Sequence, residues 1–153
     1  MAYEVLVAED NAADLALLKE AIQLEPIECV LHVVRDGEKA LTFINERNAN
    51  VELPGLDLVL LDFYLPKLEG TEVLSHLRST ARFQRTPVIL MTSQHPNVLP
   101  PAVANQSCVF YFGKPSSLDE FLEIGPFVRR VLSGGGDCSE TRLDTPESRN
   151  LPA

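Results

Sequence analysis

Leu58-Val59-Leu60-Leu61 runs without a break into Asp62, and Pro66 and Gly70 then turn the chain away. Four consecutive apolar residues do not alternate, so a strand made of them has no face left for water. Such a strand belongs in the middle of a parallel sheet covered on both sides. Ligands of open parallel sheets bind beyond the carboxyl ends of the strands. Asp62 therefore stands where chemistry is expected, provided the rest of the chain builds that sheet.

The rest of the chain meets the condition. Tyr3–Ala8, Val30–Val34, Pro87–Thr92 and Val109–Phe112 are four further β-type runs. Between them lie helical patterns. Leu15, Leu18 and Ile22 make one stripe over about 12–24, Ala40, Leu41 and Ile44 another over 38–47, and Val73, Leu74 and Leu77 a third over 70–80. A final helix starts at the capping box Ser117-Leu118-Asp119-Glu120 and runs to about Leu132. Strand and helix alternate five times, which predicts an α/β fold: a five-stranded parallel sheet in the order 2-1-3-4-5 with helices on both faces.

Four segments depart from this pattern. Asn48 to Gly55 reads as a rather long loop. Ser93 to Gln106 carries Pro96, Pro100 and Pro101, so only a short helix near 101–106 fits there. Gly125-Pro126 inside the last helix predicts a kink. Residues 134–153 open with three glycines and continue in Ser, Thr, Pro and charges, which predicts a disordered tail after a single domain at 1–133.

Bulk properties exclude several classes. The formal net charge of −9, with 13 basic residues scattered against 22 acidic ones, argues against nucleic-acid binding. Cys29, Cys108 and Cys138 are odd in number and lack CxxC spacing, which argues against a disulfide framework or a zinc site, and Cys29 and Cys108 read as core residues. No basic leader precedes a long apolar run, and no window approaches a membrane span. A reducing cytoplasm is the expected location. P-loop and dinucleotide-binding glycine patterns are absent.

The residues that finish the strands carry the chemistry. Strand one ends in Glu9-Asp10, strand three in Asp62 and strand four in Thr92, while Lys114 follows strand five. In a parallel sheet all emerge on one edge. Three crowded carboxylates raise one another's pKa, and a hard divalent cation such as Mg2+ relieves that cost. A carboxylate can also attack a phosphoryl group, with the cation and an ammonium neutralising the charge that develops. Singly, each residue has a plainer explanation: a helix cap, a turn cap, a strand threonine or a solvated lysine. Together, on one edge, they describe a site.

These residues resemble the receiver domain of two-component response regulators over about 3–132. Glu9-Asp10 is similar to the family's acidic metal-binding pair, and Asp62 to its phosphoacceptor, within D-x-x-x-P-x-x-x-G read as Asp62 to Gly70. Thr92 is similar to its hydroxyl residue and Lys114-Pro115 to its Lys-Pro pair. The resemblance implies a flavodoxin-like receiver fold and Mg2+ on Asp10, Asp62 and the backbone carbonyl of Tyr64, with Glu9 holding a water. It implies Lys114 on the phosphoryl group, Thr92 and Tyr111 as switch residues, and a cis Lys114–Pro115 bond. It also implies a sensor histidine kinase or phosphotransfer protein as donor, and it places Tyr64 and Gln94 beside the incoming water, where the bulk of Tyr64 predicts slow phosphoryl loss. The loop at 48–55 and the Leu-Pro-Lys after Asp62 resemble the stand-alone regulators paired with phytochrome-type kinases.

The resemblance makes the protein a self-phosphorylating and self-dephosphorylating switch rather than a metabolic enzyme. It acts through protein contacts, without a DNA-binding output domain. A homodimer would use strand five with the fourth and fifth helices, the elements that the proline-rich and Gly125-Pro126 segments interrupt. An aspartate-nucleophile phosphatase of the haloacid-dehalogenase type would need an Asp where Tyr64 stands. An interaction module of receiver fold that works without phosphorylation is the alternative. His32 reads as structural, and His76 and His95 have no catalytic partner pattern.

Overall fold

The computed structural model describes residues 2–93 and 106–134 and the backbone of 142–144. The expectations for Gln94, His95 and the proline-rich stretch therefore fall largely outside the described residues. The strands are β1 (Tyr3–Ala8), β2 (Cys29–Val34), β3 (Leu58–Asp62), β4 (Val88–Thr92) and β5 (Val109–Gly113). The helices between and after them are α1 (Ala12–Gln23), α2 (Gly37–Ala49), α3 (Gly70–Ser79), α4 (Leu118–Phe121) and α5 (Ile124–Leu132). All strand pairings are parallel, in the expected order 2-1-3-4-5.

Period-two alternation divides the inner strands between two apolar layers. Leu6 and Ala8, Val59 and Leu61, Val88 and Leu90, and Val109 and Tyr111 pack with α2 and α3. Val5 and Val7, Leu58 and Leu60, Ile89 and Met91, and Phe110 and Phe112 pack with α1, α4 and α5. Every residue of β3 is buried, as its unbroken apolar run predicts. β1 pairs with both β2 and β3, so the chain reverses its direction of progress there. The reversal opens a crevice at the carboxyl ends of β1 and β3, where Glu9 and Asp62 stand.

The kink expected at Pro126 is a break between two helices. α4 ends at Phe121 and α5 begins at Ile124, which places Pro126 in a first turn, where its missing N–H leaves no bond unmade. The 48–55 connection is shorter than expected because α2 continues to Ala49, and the remainder is tied down. Arg82 donates to the carbonyls of Arg47, Asn50 and Leu53, and Arg47 donates to that of Pro54.

Two features correct the sequence reading. A sixth strand, β6 (Arg142–Asp144), lies parallel to β5 with Tyr111 opposite Leu143, inside the stretch expected to be a tail without secondary structure. An edge strand presents unpaired N–H and C=O groups, and three extended residues suffice to meet some of them. Cys108 is buried, as expected of a core residue, but it is disulfide-bonded, against the expectation that the cysteines form no bridge, and Cys29 is a free, partly buried thiol. Spacing rules for cysteine frameworks do not detect a single bridge.

Candidate functional site

Each site residue is delivered by the end of an element. Glu9 follows β1 directly, and its backbone N–H donates to the Val34 carbonyl at 3.1 Å. Its side chain is fully buried and accepts from the Asn11 N–H at 3.1 Å. Asn11 in turn caps α1 by accepting from the Asp14 N–H at 3.0 Å. Asp10 stays exposed at the mouth.

Asp62 ends β3 with 6% of its surface exposed, and its Oδ1 accepts from the Tyr64 N–H at 3.0 Å. The loop that follows is tight. Gly70 donates to the Phe63 carbonyl at 2.9 Å. A Cβ on Gly70 would lie 2.6 Å from the Asp62 carbonyl oxygen and 3.0 Å from the Phe63 Cα. The last glycine of D-x-x-x-P-x-x-x-G is therefore a close-approach position, where a side chain would push the β3 terminus away. Lys67, at the loop's tip, has φ 70°, in the left-handed region. Its ammonium lies 3.7 Å from both Asp36 and Glu38 at the start of α2.

Thr92 is buried at the end of β4, and its carbonyl accepts from the Lys114 N–H at 2.7 Å. That bond extends the β4–β5 ladder by one residue and aims Lys114 into the crevice. The Lys114–Pro115 peptide is trans, contrary to the expectation of a cis bond. The ladder bond already places the lysine, and an X–Pro peptide prefers trans by roughly 0.5–1 kcal/mol.

Lys114 Nζ lies 2.9 Å from Glu9 Oε2, 3.0 Å from Asp14 Oδ2 and 3.1 Å from Asp62 Oδ2. Burial pushes the Glu9 carboxyl up to about 7, against the pull of the Lys114 ammonium and with the help of the nearby Asp62 charge. Burial would lower the Lys114 ammonium, but the Glu9, Asp62 and Asp14 carboxylates outweigh it and hold the ammonium above its ordinary value. Ligand oxygens of Glu9, Asp10 and Asp62 lie within 4.8 Å of one another. Three hard oxygen donors and no nitrogen or sulfur is a set suited to Mg2+ or Mn2+.

The structure thus brings Glu9, Asp62 and Lys114 into direct contact, with Asp10 beside them. Tyr111 lies apart, on the α2–α3 side of β5, as the alternation of Phe110 and Phe112 predicts. It is 2% exposed, its hydroxyl has no partner among the described residues, and burial raises its pKa to about 12. Tyr64 is half-exposed, its ring edge-on to Phe63. His32 pairs with Glu4 and His76 with Asn45, away from the site. Sequence reasoning missed Asp14. An acid in a first helical turn ordinarily reads as a response to the helix dipole, and nothing local links it to Lys114.

Comparison with known proteins points to one family. The response regulator receiver domain profile matches residues 5–124. Response regulator Rcp1 of Synechocystis sp. is 34% identical over 91 residues, covering 60% of this chain and 62% of Rcp1, so the match spans less than two thirds of that relative. The polar-differentiation response regulator DivK of Brucella ovis is 28% identical over 123 residues, 80% of this chain and 93% of DivK. The solved Mn2+-bound form of Rcp1 superposes with a TM-score of 0.69 at 26% identity, covering 84% of this chain and 92% of that one. The phosphorylated cyanobacterial phytochrome response regulator RcpA shares the fold, with a TM-score of 0.72 at 23% identity over 90% and 98% of the two chains. With the receiver profile spanning nearly all of the parallel sheet that carries the acidic crevice, the chain belongs to the response regulator receiver domain family.

Proposed function

We propose that this protein is a phosphorylatable switch that accepts a phosphoryl group on Asp62 from a sensor histidine kinase or a phosphotransfer protein. The observation that carries the reading is the Lys114 ammonium, 3.1 Å from a nearly buried Asp62 carboxylate whose neighbours Glu9 and Asp10 complete a hard-oxygen cluster. Glu9, Asp10 and Asp62 would hold Mg2+ together with the backbone carbonyl of Tyr64. The bound cation supplies charge neutralisation at the phosphoryl oxygens.

The protein's own groups do the rest. An Asp62 oxygen forms the new bond to phosphorus as the donor's bond to phosphorus breaks. The electron pair leaves with the donor group, which takes its proton from solvent. Lys114 compensates negative charge on the transferred group, in a crevice where little water competes. Thr92 is the hydroxyl that would meet a phosphoryl oxygen. Tyr111 would change rotamer with it, and its buried hydroxyl, without a partner among the described residues, supports that role. Output would run through protein contacts, including a homodimer built on β5 and the helices that flank it, in the cytoplasm where such donors act. Resemblance to the phytochrome response regulators supports a kinase of that type.

Intact mass after incubation with Mg2+ and acetyl phosphate tests the reading. Wild type should gain one phosphoryl group and Asp62→Ala none. A wild type of unchanged mass would sink the proposal and leave the phosphorylation-independent interaction module. A gain that survives the substitution would move the phosphoacceptor elsewhere.

A further inference from the structure

Among the described residues Lys114 touches three carboxylates, and two of them belong to the hard-oxygen cluster. The third, Asp14, comes from the first turn of α1, 100 residues away in sequence. Its backbone is fixed by the Asn11 cap at 3.0 Å. Its side chain is 25% exposed and lies 3.0 Å from an ammonium whose own side chain is 13% exposed. The dipole of α1 would be served equally by a carboxylate in solvent. This one lies instead against a mostly buried cation.

We propose that Asp14 is a positioning residue for phosphoryl transfer, holding the Lys114 ammonium beside Asp62 throughout the cycle. The inference rests on the phosphoacceptor reading given above. Glu9 and Asp62 change partners in that cycle. Glu9 would help to hold the cation, and an Asp62 oxygen would become bonded to phosphorus, so both would lose strength as acceptors for the lysine. Asp14 makes neither exchange. Of the partners of Lys114 among the described residues, it is the one that would keep the same contact from the resting to the phosphorylated state. Lysine is a point charge on a flexible four-carbon stem, so its placement depends on such anchors. Asp14 touches no reacting atom and moves no proton.

The test compares wild type, Asp14→Ala and the shape-conserving Asp14→Asn by three measurements. The rate of phosphoryl gain from acetyl phosphate with saturating Mg2+ should fall about tenfold in Asp14→Ala, the effect of losing one charge-assisted bond in the transition state. Carbon relaxation at Lys114 Cε, measured without metal, should show a more mobile side chain in both variants. Calorimetric Mg2+ affinity should stay within about twofold of wild type, because Asp14 lies outside the cluster.

Phosphoryl gain at the wild-type rate, or an equally ordered Lys114 in both variants, would overturn the proposal. So would a slowed rate accounted for by weaker Mg2+ binding. If Asp14→Ala fails to fold, Asp14→Asn carries the same expectations at several-fold slowing. If wild type itself gains no phosphoryl mass, the phosphoacceptor reading falls and this inference with it. Failure of the Asp14 arm alone leaves that reading intact.

Discussion

Glu9 shows how far one side chain's setting can change its chemistry. It follows an apolar strand, is fully buried, and titrates near 7 because burial opposes its charge more than Lys114 favours it. Unfolded, the same carboxyl titrates near its ordinary 4.5. Between those values the folded chain binds more protons than the unfolded one, so metal-free stability falls as pH rises through that window. Denaturant unfolding in EDTA should give a lower stability at pH 8 than at pH 5, and Glu9→Gln should remove most of the difference. A stability that rises over this range in wild type, or a slope that Glu9→Gln leaves intact, would place the titration elsewhere. The place of Glu9 in the acidic cluster was legible in its position after strand one. Crowding of carboxylates already predicted a raised pKa, but its main cause, burial, and the opposing approach of Lys114 are set by residues remote in sequence.

Among the elements, α5 carries the least helix-like local sequence. Helix propensity ranks glycine about 1 kcal/mol below alanine and proline far lower, so Gly125-Pro126 looks like damage. In the fold, α5 packs against α1, and a Cβ on Gly125 would stand 2.4 Å from the Ala21 carbonyl oxygen. Arg129 and Glu25 close the same contact with a 3.2 Å ion pair. Glycine permits the two helices to meet, and the break before Ile124 gives Pro126 a harmless place in a first turn. Gly125→Ala should therefore destabilise by about 1–3 kcal/mol through forced displacement of α1, the opposite sign from propensity. Chemical denaturation reads this directly, and an unchanged or higher midpoint would refute the close approach.

At the scale of the whole molecule, the folded sheet alone brings the acidic cluster together. A cation that binds only the folded state stabilises it by mass action, about 2.7 kcal/mol at a hundredfold excess over Kd. For a chain of this size that should raise the melting temperature by about 5–10 °C. The gain should be larger at pH 8 than at pH 6, because a proton on Glu9 competes with the cation. Scanning calorimetry with Mg2+ against EDTA checks both points. An equal gain in a Glu9→Gln, Asp62→Asn double variant would put the binding elsewhere.

What the sequence determined by itself was whatever depends on neighbours along the chain. Five apolar runs of strand length, the amphipathic stripes between them, and the polar residue ending each strand are local patterns, and parallel topology places all those ends on one edge. Hence Glu9, Asp10, Asp62, Thr92 and Lys114 could be named before any coordinates. Tertiary structure decided the matters that depend on contact between distant residues. It brought Asp14 of α1 to Lys114 and set Gly125 against the Ala21 carbonyl. It pinned the α2–β3 connection with Arg82, laid Arg142–Asp144 on the edge of β5, and bridged Cys108. Periodicity reports which face a residue presents, whereas these pairings depend on which surfaces meet once the sheet has twisted and the helices have packed.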